Sequence, residues 1–156
     1  MDNPKVREAI KDVMRFWLDM GVDGFREDVI TQISKDRKKD GTLPNGNWIM
    51  PASRGMEHYN NGPHIHEYLQ EYREVMKEYD DRFQVGESPM VTPKIALKYA
   101  NKELDTMIGF QHMEADCIII SWVHLPFSLK KLKKTYNNWQ HCNNTLKGPN
   151  YSRYSH

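Results

Sequence analysis

"VDGFREDVI", Val22 to Ile30, sets an arginine and two adjoining carboxylates (Arg26, Glu27 and Asp28), a few residues after Asp23, into a stretch that otherwise reads as a buried strand. A strand turns successive side chains to opposite faces, so Arg26 and Asp28 share one side and Glu27 takes the other. Gly24 and Phe25 open the stretch, and Val29 and Ile30 are good strand formers. Charge at a strand end is either a structural ion pair or a site, and the neighbouring elements decide between the two.

Before this stretch lies an amphipathic helix. Asn3 is suited to cap it and Pro4 to open it. Val6, Ile10, Val13, Met14, Trp17 and Leu18 recur every three or four residues as one apolar stripe, and Gly21 supplies a stop. After it comes a long irregular segment, Thr31 to Gly62, rich in Gly, Asn, Pro and Lys. Connections of that length are uncommon in compact domains and are usually functional or disordered. A second helix runs from near Pro63 to about Tyr79, with Leu69, Tyr72, Val75, Met76 and Tyr79 on its apolar face. The strand "RFQVGE", Arg82 to Glu87, follows. Thr92 caps a short helix opened by Pro93, "LDTMIGFQ", Leu104 to Gln111, makes a third strand, and Ser128 caps a last helix carrying Leu129, Leu132, Tyr136 and Trp139.

Strands alternating with helices predict right-handed βαβ units and a parallel sheet. No glycine-rich phosphate loop follows a strand. The (β/α)8 barrel fits better, because it carries its sites at the C-terminal ends of its strands, where Asp28 and Glu87 fall. The predicted fold is therefore α/β, part of a (β/α)8 TIM barrel, about three strands and four helices of it.

Composition bounds the partners. The 156 residues carry a net charge of +1, which gives no reason to expect nucleic-acid binding. Cys117 and Cys142 have neither zinc-ligand nor disulfide-framework spacing. The longest apolar run, Cys117 to Ile120, is too short to span a bilayer, and the N-terminus has no basic stretch followed by an apolar run. The expectation is a cytoplasmic protein with no membrane partner.

Two carboxylates on successive parallel strands are what glycoside hydrolysis requires: one attacks the sugar carbon, the other delivers a proton to the leaving oxygen. Arg26, two residues before Asp28, would keep Asp28 ionised. Glu87 follows Phe83 and Val85 and has no close basic neighbour in sequence, which suits the proton donor.

These motifs resemble the α-amylase family of glycoside hydrolases. "GFREDVI" is similar to that family's nucleophile motif and "VGES" to its acid motif. "NPKVREAIKDVMRFWLDMGVDGFREDVI", "NGPHIHEYLQEYREVM", "FQHME" and "LKKLKKTYNNWQ" resemble the α-glucosidase and oligo-1,6-glucosidase branch over roughly residues 2 to 140. The resemblance implies Asp28 as nucleophile and Glu87 as general acid/base of a retaining mechanism, with Arg26 orienting Asp28. It implies that Val29, next to the nucleophile, favours α-1,6 linkages. It implies an oligosaccharide substrate and no cofactor or metal. Alternatives in the same class are a trehalose-6-phosphate hydrolase or a sucrose-processing relative; outside it stand a non-catalytic barrel relative and an inactive truncated product.

The departures are as informative. The family's first three strands and its Asn-His-Asp motif with the third carboxylate are not in this sequence, "CIIISWV" replaces a polar loop, and Glu27 stands where the family often has an apolar residue. The expected organisation is a partial catalytic barrel over residues 1–140 and a divergent, irregular tail over 141–156. Uncovered strand edges and helix faces predict self-association. His58, His64 and His66 cluster without helical ligand spacing, and Trp48, Tyr59 and Tyr68 are candidates for stacking on sugar rings.

Overall fold

The computed structural model describes residues 1–46, 55–89, 91–100, 102–113, 116–118 and 123–145. Helix α1 (Pro4–Asp19) begins where Asn3 accepts a hydrogen bond from the Lys5 amide at 3.0 Å. It ends in a Schellman motif. Gly21, at φ 92°, sends its N–H to Leu18 O, and Val22 sends its own to Trp17 O. Strand β1 (Gly24–Glu27) follows, then a 3-10 turn (Ile30–Gln32), α2 (Met56–Tyr59), α3 (Ile65–Lys77), β2 (Phe83–Ser88), α4 (Pro93–Ala100), β3 (Thr106–Gly109), β4 (Cys117–Ile118), β5 (Val123–His124) and α5 (Leu129–Thr145). The Thr92 and Ser128 hydroxyls cap α4 and α5 at 3.3 Å.

Three strands form one parallel sheet in the order β1-β2-β3, with Gly24 opposite Phe83 and Val85 opposite Thr106. This is the βαβ alternation expected, with two additions. The short α2 sits inside the long segment, and an antiparallel β4–β5 pair holds the ends of the apolar run 117–123. Helix α5 continues to Thr145, beyond Gln140.

The strand in the opening stretch is shorter than its composition suggests. It stops at Glu27, because β2 pairs with β1 only as far as Gly86 and then continues beside β3. Ile30 is buried, but in the 3-10 turn, where its methyl lies 3.0 Å from the space a Gly86 side chain would fill. Its apolar character serves the layer behind the sheet, not a continued ladder.

The sheet has one covered and one open face. Gln84, Gly86, Ser88 and Met107 are buried against the helices, where Leu69, Tyr72, Val75 and Met76 of α3 and Tyr99 of α4 build the core. On the other face Phe83 and Ile108 are 37% and 40% exposed. In a closed barrel that face would line the interior. Helix α1 is divided in the same way. Met14 and Leu18 join the core, while Val6, Ile10, Val13 and Trp17, expected on the same buried stripe, are exposed, as are Phe16 and Met20. Cross-helix ion pairs, Arg7–Glu71 at 3.0 Å and Arg15–Glu78 at 2.7 Å, fix α1 against α3. On α5, Leu129 and Tyr136 are likewise exposed, and Trp139 packs against the core.

The long segment leaves the end of β1 and returns to it. Asn61 N bonds Thr31 O at 2.8 Å, Asp36 N bonds His58 O at 2.7 Å, and Gly62 lies so close to the Ser34 carbonyl that a Cβ would stand 2.2 Å from it.

Leu18→Ala should lower the stability of the chain by about 2–5 kcal/mol, the cost of an apolar cavity. Val13→Gln, one turn away on the exposed side, should change it by less than about 0.5 kcal/mol. Urea unfolding of both variants followed by circular dichroism measures the difference.

Candidate active site

Arg26 reaches the open face from β1. Its guanidinium makes an ion pair with Asp28 at 3.1 Å through one nitrogen and a close hydrogen-bonded pair with Glu87 through the other. Asp28 stands in the turn just past β1, two-thirds exposed, and Glu87 is near the end of β2 with a side chain 17% exposed. Parallel pairing with Arg26 opposite Val85 brings the arginine within reach of Glu87. The Arg26–Asp28 contact that the sequence predicted is present, although Asp28 stands in the turn and not on the strand. Glu87 has the basic partner that its sequence neighbourhood did not show. The hydrogen bond to Glu87 is the main cause holding Arg26 more firmly protonated than a free guanidinium, and Asp28 adds to it.

Beneath these residues the strand ends are tied by buried hydroxyls. Thr31 Oγ1 and Ser88 Oγ lie 2.7 Å apart and both are fully buried. Val29 makes the bend between them. It adopts φ 45°, ψ 39°, the left-handed region that β-branched residues avoid, and it opens the 3-10 turn. The backbone is thus strained directly after Asp28, and Arg26, Asp28, Val29 and Glu87 are gathered at one end of the sheet.

Other candidates fall elsewhere. Tyr68 is buried on α3, bonded to Asp2 at 3.2 Å and covered by the Arg7 guanidinium, so it is no surface for a sugar. Tyr59 bonds the Pro44 carbonyl at 2.7 Å with Lys35 over its ring. Trp48 lies outside the described residues. His64 pairs with Glu67 and His66 with Glu103, at 3.0 and 3.2 Å. Among the described residues no group of three potential metal ligands converges. No helix there is long and apolar enough to cross a membrane.

Glu27 faces away from Arg26, into the covered layer. Gln84 Nε2 donates to its Oε1 at 2.7 Å, and burial pushes its carboxyl up to about 7. The sequence marks this residue only as an acid on the wrong side of an apolar strand.

A parallel βαβ arrangement with carboxylates at the C-terminal strand ends fits a portion of a (β/α)8 barrel. The chain belongs to the alpha-amylase family: residues 1–151 match its catalytic domain. It is 46% identical over 145 residues to an oligo-1,6-glucosidase of Parageobacillus thermoglucosidasius, covering 89% of this chain and 25% of that protein. It is 36% identical over 143 residues to a trehalose-6-phosphate hydrolase of Bacillus subtilis, covering 89% of this chain and 24% of that protein. The crystal structure of a Bacillus licheniformis trehalose-6-phosphate hydrolase superposes with a TM-score of 0.79 at 33% identity, over 94% of this chain and 26% of that one. The chain thus spans about a quarter of the length of the relatives it matches.

Because a left-handed residue bearing a Cβ costs about 1–2 kcal/mol, Val29→Gly should be more stable than Val29→Ala by about 1 kcal/mol. That reverses the usual order of these two residues. Parallel urea titrations of the two variants check it.

Proposed function

We propose that the chain carries the two catalytic carboxylates of a retaining glycosidase acting on α-linked glucosides. The supporting observation is the single Arg26 guanidinium touching both Asp28 and Glu87 at neighbouring C-terminal strand ends. In this reading Asp28, the more exposed of the two, attacks the anomeric carbon while Glu87 protonates the leaving oxygen. A covalent glycosyl-enzyme forms, and water, deprotonated by Glu87, then releases the sugar. Arg26, held on Asp28, orients the nucleophile.

Val29 sits beside the substrate in this reading and favours α-1,6 linkages. The higher identity to the oligo-1,6-glucosidase than to the trehalose-6-phosphate hydrolase points the same way. Residues 1–140 form the barrel portion and 141–156 a divergent extension, in a protein of the cytoplasm. The exposed apolar residues of α1 and of the open sheet face support self-association of the 156-residue chain, and its sedimentation should depend on concentration.

The test is to replace the matching segment of the P. thermoglucosidasius relative with this chain. The chimera should hydrolyse an α-1,6-linked glucose disaccharide. Glu87→Gln should lower its kcat by roughly 10²–10⁴-fold, the contribution of general acid–base catalysis. Asp28→Asn should reduce turnover to background. A folded chimera that is inactive, or one that keeps its rate with Asn at position 28, overturns the assignment. The 156-residue chain by itself should release no measurable p-nitrophenol from the α-glucoside, because substrate positioning, which supplies roughly 7–11 kcal/mol of a barrier, needs contacts from all round a barrel.

A further inference from the structure

Glu27, like Asp23, is an acid of the opening stretch that the proposed chemistry does not use. It lies behind the site, on the covered face, between Arg26 and Asp28 in the chain. Among the described residues its carboxyl has one hydrogen-bond partner, Gln84, which is fully buried near the start of β2. Gln84 is held in place through its backbone: its N–H bonds Asp105 Oδ2 at 2.8 Å, and its carbonyl accepts the Asp105 N–H at 3.0 Å.

Two oxygens of this pair are shut off from solvent with no donor: Glu27 Oε2 and Gln84 Oε1. Each is an acceptor, so no rotation of either side chain satisfies both while Glu27 is a carboxylate. One proton on Glu27 Oε2 turns that oxygen into a donor. Acid and carboxamide can then exchange two hydrogen bonds: N–H of Gln84 to Oε1, as observed, and O–H of Glu27 to Gln84 Oε1. We propose that Glu27 is held as the neutral acid in the folded chain, closing such a ring with Gln84 and clasping β1 to β2 behind the Arg26–Glu87 pair.

The surroundings agree. From α3 the titratable group that faces Glu27 is Tyr72, whose phenol is itself pushed up to about 12 by burial and by the Glu27 charge. Of the nearby charged groups, Arg7 is paired with Glu71, and Arg73 with Asp105. Among the described residues no cation pairs with Glu27, and burial is the main influence on its carboxyl. The strand pair is thus fastened on both faces, by an ion pair on the open side and by a neutral acid–amide ring on the covered side.

The sign of the pH effect follows. A carboxyl with a raised folded-state pKa binds its proton in the folded chain after the unfolded chain has lost it. Its contribution to stability is full below the unfolded value near 4.5 and is lost as pH rises through the folded value near 7. Glu27→Gln keeps an amide ring and cannot ionise, so it lacks this loss. The folding equilibrium constant of the native sequence, divided by that of E27Q, should fall on the order of a hundredfold between pH 4.5 and pH 8.

The experiment uses the 156-residue chain, 13C-labelled at glutamate side-chain carboxyls. One resonance, missing from E27Q, should titrate near neutral pH, and the stability of E27Q relative to the native sequence should rise between about pH 4.5 and pH 7, then level off. Glu27→Met, which leaves Gln84 without a partner, should be less stable than E27Q at every pH. A Glu27 resonance titrating near 4.5, or parallel stability profiles for the native sequence and E27Q, overturns the proposal. If E27Q does not fold, the titration of the native chain alone decides. These readouts are independent of catalysis, so their outcome is separate from that of the glycosidase reading.

Discussion

Everything in this structure depends on the parallel pairing of β1 with β2. Four residues of β1 lie against Phe83 to Gly86, and the register fixes which side chain of one strand meets which of the other. With Arg26 opposite Val85, the arginine reaches Glu87 on the open face and Glu27 reaches Gln84 on the covered face. A slip of one residue would exchange the faces, burying the arginine and exposing Phe25. The hydrophobic layer of α3 and α4 therefore decides where the polar residues stand.

That layer was legible in the sequence because it is periodic. The stripe of α3 and the caps at Asn3, Thr92 and Ser128 follow from spacing and side-chain chemistry alone. What spacing could not give was the fate of apolar residues whose covering layer is not in this chain. Val13 and Trp17 of α1 carry the same pattern as Met14 and Leu18, yet only the latter pair is buried. The pattern records which positions are apolar, and coverage depends on what packs against them.

The site was legible in part. Asp28, Arg26 and Glu87 stand out as charge at strand ends, and the two-residue spacing of Arg26 and Asp28 pointed to their contact. The Arg26–Glu87 contact joins residues 61 apart and depends on register, which no local pattern encodes. The bend at Val29 was hidden because valine and isoleucine favour strands, and here tertiary packing of Ile30 overrides that preference. Glu27 could be noticed in the sequence as an acid out of place, but its partner Gln84 lies on another strand.

The stem of the long segment has a consequence of a different kind. Because residues 31–36 and 58–62 hold one another and pack on the base of the sheet, the two ends of the excursion are fixed independently of what lies between them. The cost of lengthening a closed loop grows only with the logarithm of its size. Insertions, deletions and substitutions beyond the stem can therefore accumulate with little penalty to folding, beside the very strand that carries Asp28.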